Sequence, residues 1–170
     1  MRKTFFTLIS IFIAQVSFAQ TTLPKDTFVF STVHENKITP VKNQASTGTC
    51  WSFSGLAFFE SELLRMGKGD TDLSEMFVVS HSYTDKADKY VRTNGTINFA
   101  QGGSFYDVLY ALRIYGIVPE HEMTGLQYGT DRHNHSELEE ITSGLVKAVV
   151  KNPNRTFSTA WKSDTQGIID

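Results

Sequence analysis

Only one cysteine stands in these 170 residues, Cys50, so no disulfide can close within the chain. That absence excludes a small fold stapled by disulfides and leaves one unpaired thiol to explain. An excess of one charge is missing too. Lys and Arg number 16 against 18 Asp and Glu, for a net charge of -2 and a pI near 6.2. With no basic footprint, nucleic acid is not an expected partner. Long apolar runs are absent as well: the most apolar stretch, Phe5 to Val16, is shorter than the ~20 residues a membrane-spanning helix needs. No internal repeat or low-complexity run stands out. What remains is ordinary for a globular protein, with 40% hydrophobic and 20% charged residues.

The amino-terminal stretch reads as an address rather than as structure. Arg2 and Lys3 supply a positive start, the apolar stretch follows, and Ser17-Phe18-Ala19 places small residues where a signal peptidase reads. The expectation is a signal peptide over residues 1–19, cleaved near Ala19, in preference to a membrane anchor. The mature chain, residues 20–170, is then secreted or periplasmic and has no stable membrane insertion. Export sharpens the question of Cys50, because an unpaired thiol in an oxidising compartment is exposed to oxidation. Such a thiol is either buried and inert or functional, and its neighbours must decide.

Residues 20–36 read as an extended lead-in, and Ile38 to Lys42 as a short extended piece, since Pro40 disfavours helix at Thr39. Asn43 to Thr49 is a loop of small and polar residues. A helix is expected from about Cys50 to Met66, with Ser46, Thr47 and Thr49 as available caps and Gly67 as terminator. Phe53, Leu56, Ala57, Leu63 and Leu64 recur at helical spacing. Trp51, Phe58 and Phe59 widen that face, which predicts a first half buried on most sides. A second helix begins after Ser74 and runs to about Tyr90. A third spans about Phe105 to Tyr115, with Phe105, Val108, Leu109 and Leu112 as its buried stripe. Ser136 and Glu139 form a capping-box pair for a fourth, closed by Asn152-Pro153. The two apolar residues Ile168-Ile169 at the very end look like a cut rather than a frayed terminus.

The chemistry lies in Asn43-Gln44-Ala45-Ser46-Thr47-Gly48-Thr49-Cys50-Trp51-Ser52-Phe53. This pattern puts a thiol in the first turn of an apolar helix, where unpaired N–H groups and the macrodipole stabilise a thiolate. Gly48 lets the backbone pass close to the reacting centre. Gln44, across a tight loop, could aim its amide at the spot served by the Cys50 N–H. Two donors converging beside a nucleophile are what an oxyanion hole requires.

The same stretch resembles the papain-like cysteine peptidases, whose motif reads Asn-Gln, a small loop, then Gly-x-Cys-Trp-x-Phe. The resemblance implies that Cys50 is the acyl-forming nucleophile, that Gln44 and the Cys50 N–H hold the oxyanion, and that Trp51 packs beside them. It also implies that Gly102-Gly103, just before the third helix, lines the cleft and pairs with substrate backbone. An extended peptide can do so only where no Cβ intrudes. Taken alone, a Gly-Gly pair is an ordinary turn. Leu73-Ser74-Glu75 is similar to the family's helix start. The implied fold is α+β, of which this chain covers mainly the helical amino-terminal half; the implied partner is a peptide, with no cofactor and no metal.

Thr47 stands where the papain group proper carries a disulfide cysteine, and only about two dozen residues separate the cleavage site from Asn43. These features, with Asp107-Val108-Leu109, Tyr115 to Pro119 and Asp85 to Lys89, resemble the bleomycin hydrolase and aminopeptidase C branch. That branch implies aminopeptidase activity and a possible homo-oligomer. The family's His and Asn lie roughly 130–150 residues after the cysteine, which places them beyond Asp170. His34, His81, His121, His133 and His135 match no such motif. His133 and His135, near Asp131 and His121, could suggest a metal site, but loop imidazoles are more simply solvated. The 170 residues alone are therefore expected to be inactive. The rival reading is a module that binds peptides on the same face without cutting them.

Overall fold

In the computed structural model, residues 30–127, 129–154 and 156–169 are described, and the signal-peptide reading of residues 1–19 lies outside them. Packing divides the chain into a unit up to Glu35 and a unit from Asn36 onward. Five described helices belong to the second unit: α1 Cys50–Arg65, α2 Glu75–Arg92, α3 Phe105–Ile114, α4 Ser136–Val150 and α5 Ala160–Ile169, with a 3₁₀ turn at Glu120–Glu122. Among the described residues no sheet strand forms, only isolated bridges joining Ser46 to Asn134 and Leu73 to Pro119. Of the expected α+β architecture, the described residues thus carry the helical part. None of their helices is long and apolar enough to cross a membrane.

Helix α2 packs against each of the other four. Its sequence allows this because Met76, Val78, Val79, Tyr83, Ala87 and Val91 are all buried and spread around the helix. Ser74 starts it, its hydroxyl oxygen accepting the Phe77 N–H at 3.0 Å. Leu56 of α1, Val108 of α3 and Val146 of α4 are fully buried beside it. At the end of α1, the Lys68 N–H reaches the Leu63 carbonyl and the Gly67 N–H that of Leu64, as a Schellman ending does.

Several expectations are corrected. The first half of α1 is not buried on most sides: Trp51, Ser52, Gly55, Leu56 and Glu60 are buried, whereas Phe58 is exposed. Phe58 sits two residues from Leu56, about 200° around the helix, so it cannot share that face. It joins Phe59 and Phe105 in an aromatic cluster with ring centroids 5.5–5.8 Å apart. That contact also draws Phe105 out of the expected stripe of α3, whose buried residues are Val108 and Ala111, with Leu109 exposed. The Ser136–Glu139 capping box does not form. His135 holds the cap position, the Asn134 side chain accepts the Ser136 N–H at 3.1 Å, and the Glu139 carboxylate turns elsewhere. Ile168 and Ile169 end a helix, α5, that the sequence reading left out.

The lead-in to the loop before α1 is fixed by buried charge. The Glu60 carboxylate, with no solvent exposure, accepts from the Thr39 hydroxyl at 2.6 Å, Lys42 Nζ at 2.7 Å and the Leu73 N–H at 2.9 Å. Lys42 also reaches Glu75 at 2.8 Å and Asp72 at 2.5 Å. Residues 39–42 are thereby tied to α1 and to the start of α2, and the loop 43–49 departs from a fixed point.

Candidate active site

Cys50 is the first residue of α1 and its thiol is exposed. Thr49, at the cap position, makes no side-chain capping bond. The Thr47 hydroxyl donates to the Gln44 carbonyl at 2.9 Å, so at the 2.6 Å contact between the two threonine hydroxyls Thr49 is the donor. None of the three expected capping residues caps the helix. The first helical bonds to the Thr49 carbonyl come from the N–H groups of Ser52 and Phe53, and among the described residues no acceptor meets the Cys50 N–H. The sulfur therefore stands at the positive end of α1, beside a donor with nothing to hold.

Loop 43–49 is folded on itself and clamped from outside. Asn43 Oδ1 accepts the Ala45 N–H at 2.9 Å, and Ala45 takes φ +50°, a left-handed turn that a residue with a Cβ adopts at some cost. Past this turn, Gln44 Nε2 donates to the Thr47 carbonyl at 2.7 Å, leaving its second amide hydrogen unpartnered among the described residues. Ser46 pairs with the segment before α4, its N–H on the His133 carbonyl at 3.0 Å and its carbonyl on the His135 N–H at 3.2 Å. The rings of His133 and Phe53 meet edge to face at 6.4 Å. Burial lowers the pKa of His133. Burial, reinforced by His133 and opposed by Glu139, brings His135 down to about 4. Both imidazoles are therefore neutral at pH 7. Among the described residues no group of three or more His, Cys, Asp or Glu is arranged to hold a metal ion.

The Gly102-Gly103 segment lies against the residue that follows the cysteine. The Trp51 indole N–H donates to the Gln101 carbonyl at 3.0 Å, and a Cβ on Gly103 would stand 2.5 Å from that ring. Gly103 is thus required by packing on Trp51. Gly102 has no atom within 4 Å of where its Cβ would be, and its carbonyl accepts Lys86 Nζ at 2.5 Å. That ammonium sits 5.2 Å above the Trp51 ring, and burial, opposed by Asp107, lowers its pKa.

The fold brings Cys50, the Gln44 loop and Gly102-Gly103 to one end of α1. Sequence reasoning missed Gln101, Lys86, Glu139 and the His133–His135 segment as parts of this arrangement. Gln101 had one available signal, its place directly before Gly102-Gly103; the others had none.

Residues 26–161 match the model of the papain family cysteine proteases. Over 42 residues the chain is 45% identical to Peptidase 1 of Psoroptes ovis, a stretch covering 25% of this chain and 13% of that protein. The chain belongs to the papain family of cysteine proteases.

Proposed function

We propose that this chain is the helical part of an exported cysteine peptidase that cleaves peptide bonds through an acyl-enzyme at Cys50. The observation that carries this reading is the exposed thiol on the first residue of α1, beside a Cys50 N–H that has no acceptor among the described residues. The oxyanion is held by that N–H together with the remaining amide hydrogen of Gln44. The thiol attacks the substrate carbonyl and expels the amine, and water then releases the acyl group. Gly102 leaves open space where a Cβ would stand, so an extended peptide can approach the main chain there.

A His that draws the proton from Cys50 and an Asn that orients it, which the family carries roughly 130–150 residues after the cysteine, would complete this site. On this reading the 170 residues alone are inactive or nearly so. The segments Asp85 to Lys89, Asp107 to Leu109 and Tyr115 to Pro119 support placement in the bleomycin hydrolase and aminopeptidase C branch, hence aminopeptidase-like action and a possible homo-oligomer. The charged start and apolar stretch of residues 1–19 support export to a secreted or periplasmic location.

The test is Cys50→Ala in the complete protein, assayed on aminoacyl fluorogenic substrates. Turnover should vanish while substrate peptides still bind. Unchanged turnover ends the reading, and peptide binding by a wild type that shows no turnover favours a non-catalytic module instead.

A further inference from the structure

We propose that Gln101 is a positioning residue for the nucleophile loop, holding the Gly48 backbone through its side-chain amide while Glu139 sets which way that amide faces. The inference rests on Cys50 being the nucleophile. Gln101 Oε1 accepts the Gly48 N–H at 2.6 Å, its main-chain carbonyl accepts the Trp51 indole N–H at 3.0 Å, and its Nε2 donates to Glu139 Oε2. One residue thus grips the chain on both sides of Cys50, two positions before it and one after.

The orientation of the amide follows from donor and acceptor chemistry. An ionised carboxylate only accepts and an amide NH₂ only donates, so Glu139 turns the NH₂ of Gln101 toward α4 and leaves Oε1 for Gly48. The approach is close: a Cβ on Gly48 would come within 2.8 Å of the Gln101 Cβ. The segment before α4 and its first turn therefore grip the loop twice, at Ser46 through main-chain bonds with His133 and His135, and at Gly48 through Glu139 and Gln101. Two residues after the second anchor, past Thr49, α1 begins with Cys50 and its thiol. Thiol position matters greatly for rate, since a displacement of about 1 Å caused far from the chemistry can cost on the order of 100-fold.

The experiment uses the complete protein and compares Gln101→Leu, Gln101→Glu and the exchanged pair Gln101→Glu/Glu139→Gln, with Cys50→Ala as control. Each is measured for kcat, KM and thermal midpoint. Gln101→Leu should lower kcat roughly 10- to 100-fold while KM changes by no more than about twofold. Gln101→Glu, which sets two carboxylates face to face, should lose a similar amount. The exchanged pair again presents an acceptor to Gly48 and a donor across the contact, so its kcat should return to within about threefold of wild type.

Full kcat in Gln101→Leu, or no recovery in the exchanged pair, overturns the inference. So does a kcat loss that only follows unfolding at the assay temperature. If Gln101→Leu does not fold, the exchanged pair against Gln101→Glu decides alone. Activity persisting in Cys50→Ala overturns the nucleophile reading itself, whereas its loss there beside full kcat in Gln101→Leu overturns only the role of Gln101.

Discussion

Gly103 lies so close to Trp51 that a Cβ on it would stand 2.5 Å from Cε2 of the indole, whereas Gly102 beside it faces open space. The two glycines are adjacent in sequence but differ in what they are for. Trp51 is buried and held through its N–H, so it cannot move aside freely. Gly103→Ala should therefore cost about 1–3 kcal/mol of stability, the usual range for overpacking, and lower kcat by displacing the residue next to Cys50. Gly102→Ala should shift stability by less than ~0.5 kcal/mol, as open surface positions do, while reducing kcat/KM if substrate backbone pairs there. Thermal melts and kinetics on both variants check this, and equal losses of stability would contradict it.

Gln44 divides its amide between structure and the proposed chemistry. One hydrogen holds the Thr47 carbonyl at 2.7 Å. Removing the side chain should cost about 1 kcal/mol of stability, typical of one hydrogen bond. Loss of its second donor should lower kcat by roughly 10²–10³ if it holds the oxyanion. A kcat within threefold of wild type for Gln44→Ala would remove it from that role.

How far the chain could be read from its letters depended on whether a feature was local. Helices α1 to α4 were legible, because periodicity, Ser74 and the glycines after α1 act within one turn of the chain. Burial was less legible. Phe58 and Phe105 are apolar at plausible core positions, yet they leave the core because they find each other across α1 and α3. The motif around Cys50 marked the candidate site, but nothing in it shows that Thr49 would spend its hydroxyl on Thr47 and leave the helix uncapped. Gln101 and Glu139 were invisible for the same reason. Their contact spans 38 residues and has no repeat, spacing or composition to announce it.

Lys42 is the partner on which the buried Glu60 depends. Burial works against its charge, but the carboxylates of Asp72, Glu60 and Glu75 outweigh that and hold its pKa above the usual lysine range. Lys42→Met should cost about 3–5 kcal/mol in urea denaturation, the penalty for stranding a buried charge. Lys42→Met/Glu60→Gln should recover part of this, because a neutral amide still offers an acceptor to the Thr39 hydroxyl and the Leu73 N–H. No recovery would mean that packing of the Lys42 stem, rather than its charge, matters here.

Two groups with opposite shifts should make stability respond to pH from both sides. His135 is driven from its ordinary value of 6.5 to about 4 by burial, and its Nδ1 is buried without a partner among the described residues. The folded state therefore prefers it neutral. Its contribution is fully present above pH 6.5 and is lost as pH falls from there toward about 4. Glu120 is driven the other way, from 4.5 to about 7, by burial and then by the charges of Glu75 and Asp72. Its contribution is fully present below about pH 4.5 and is lost as pH rises toward 7. In thermal melts from pH 4 to 8, His135→Gln should gain on wild type as pH falls below 6.5. Glu120→Gln should gain as pH rises above 4.5. The opposite slopes are the test, since a general effect of either substitution would shift the midpoint equally at every pH.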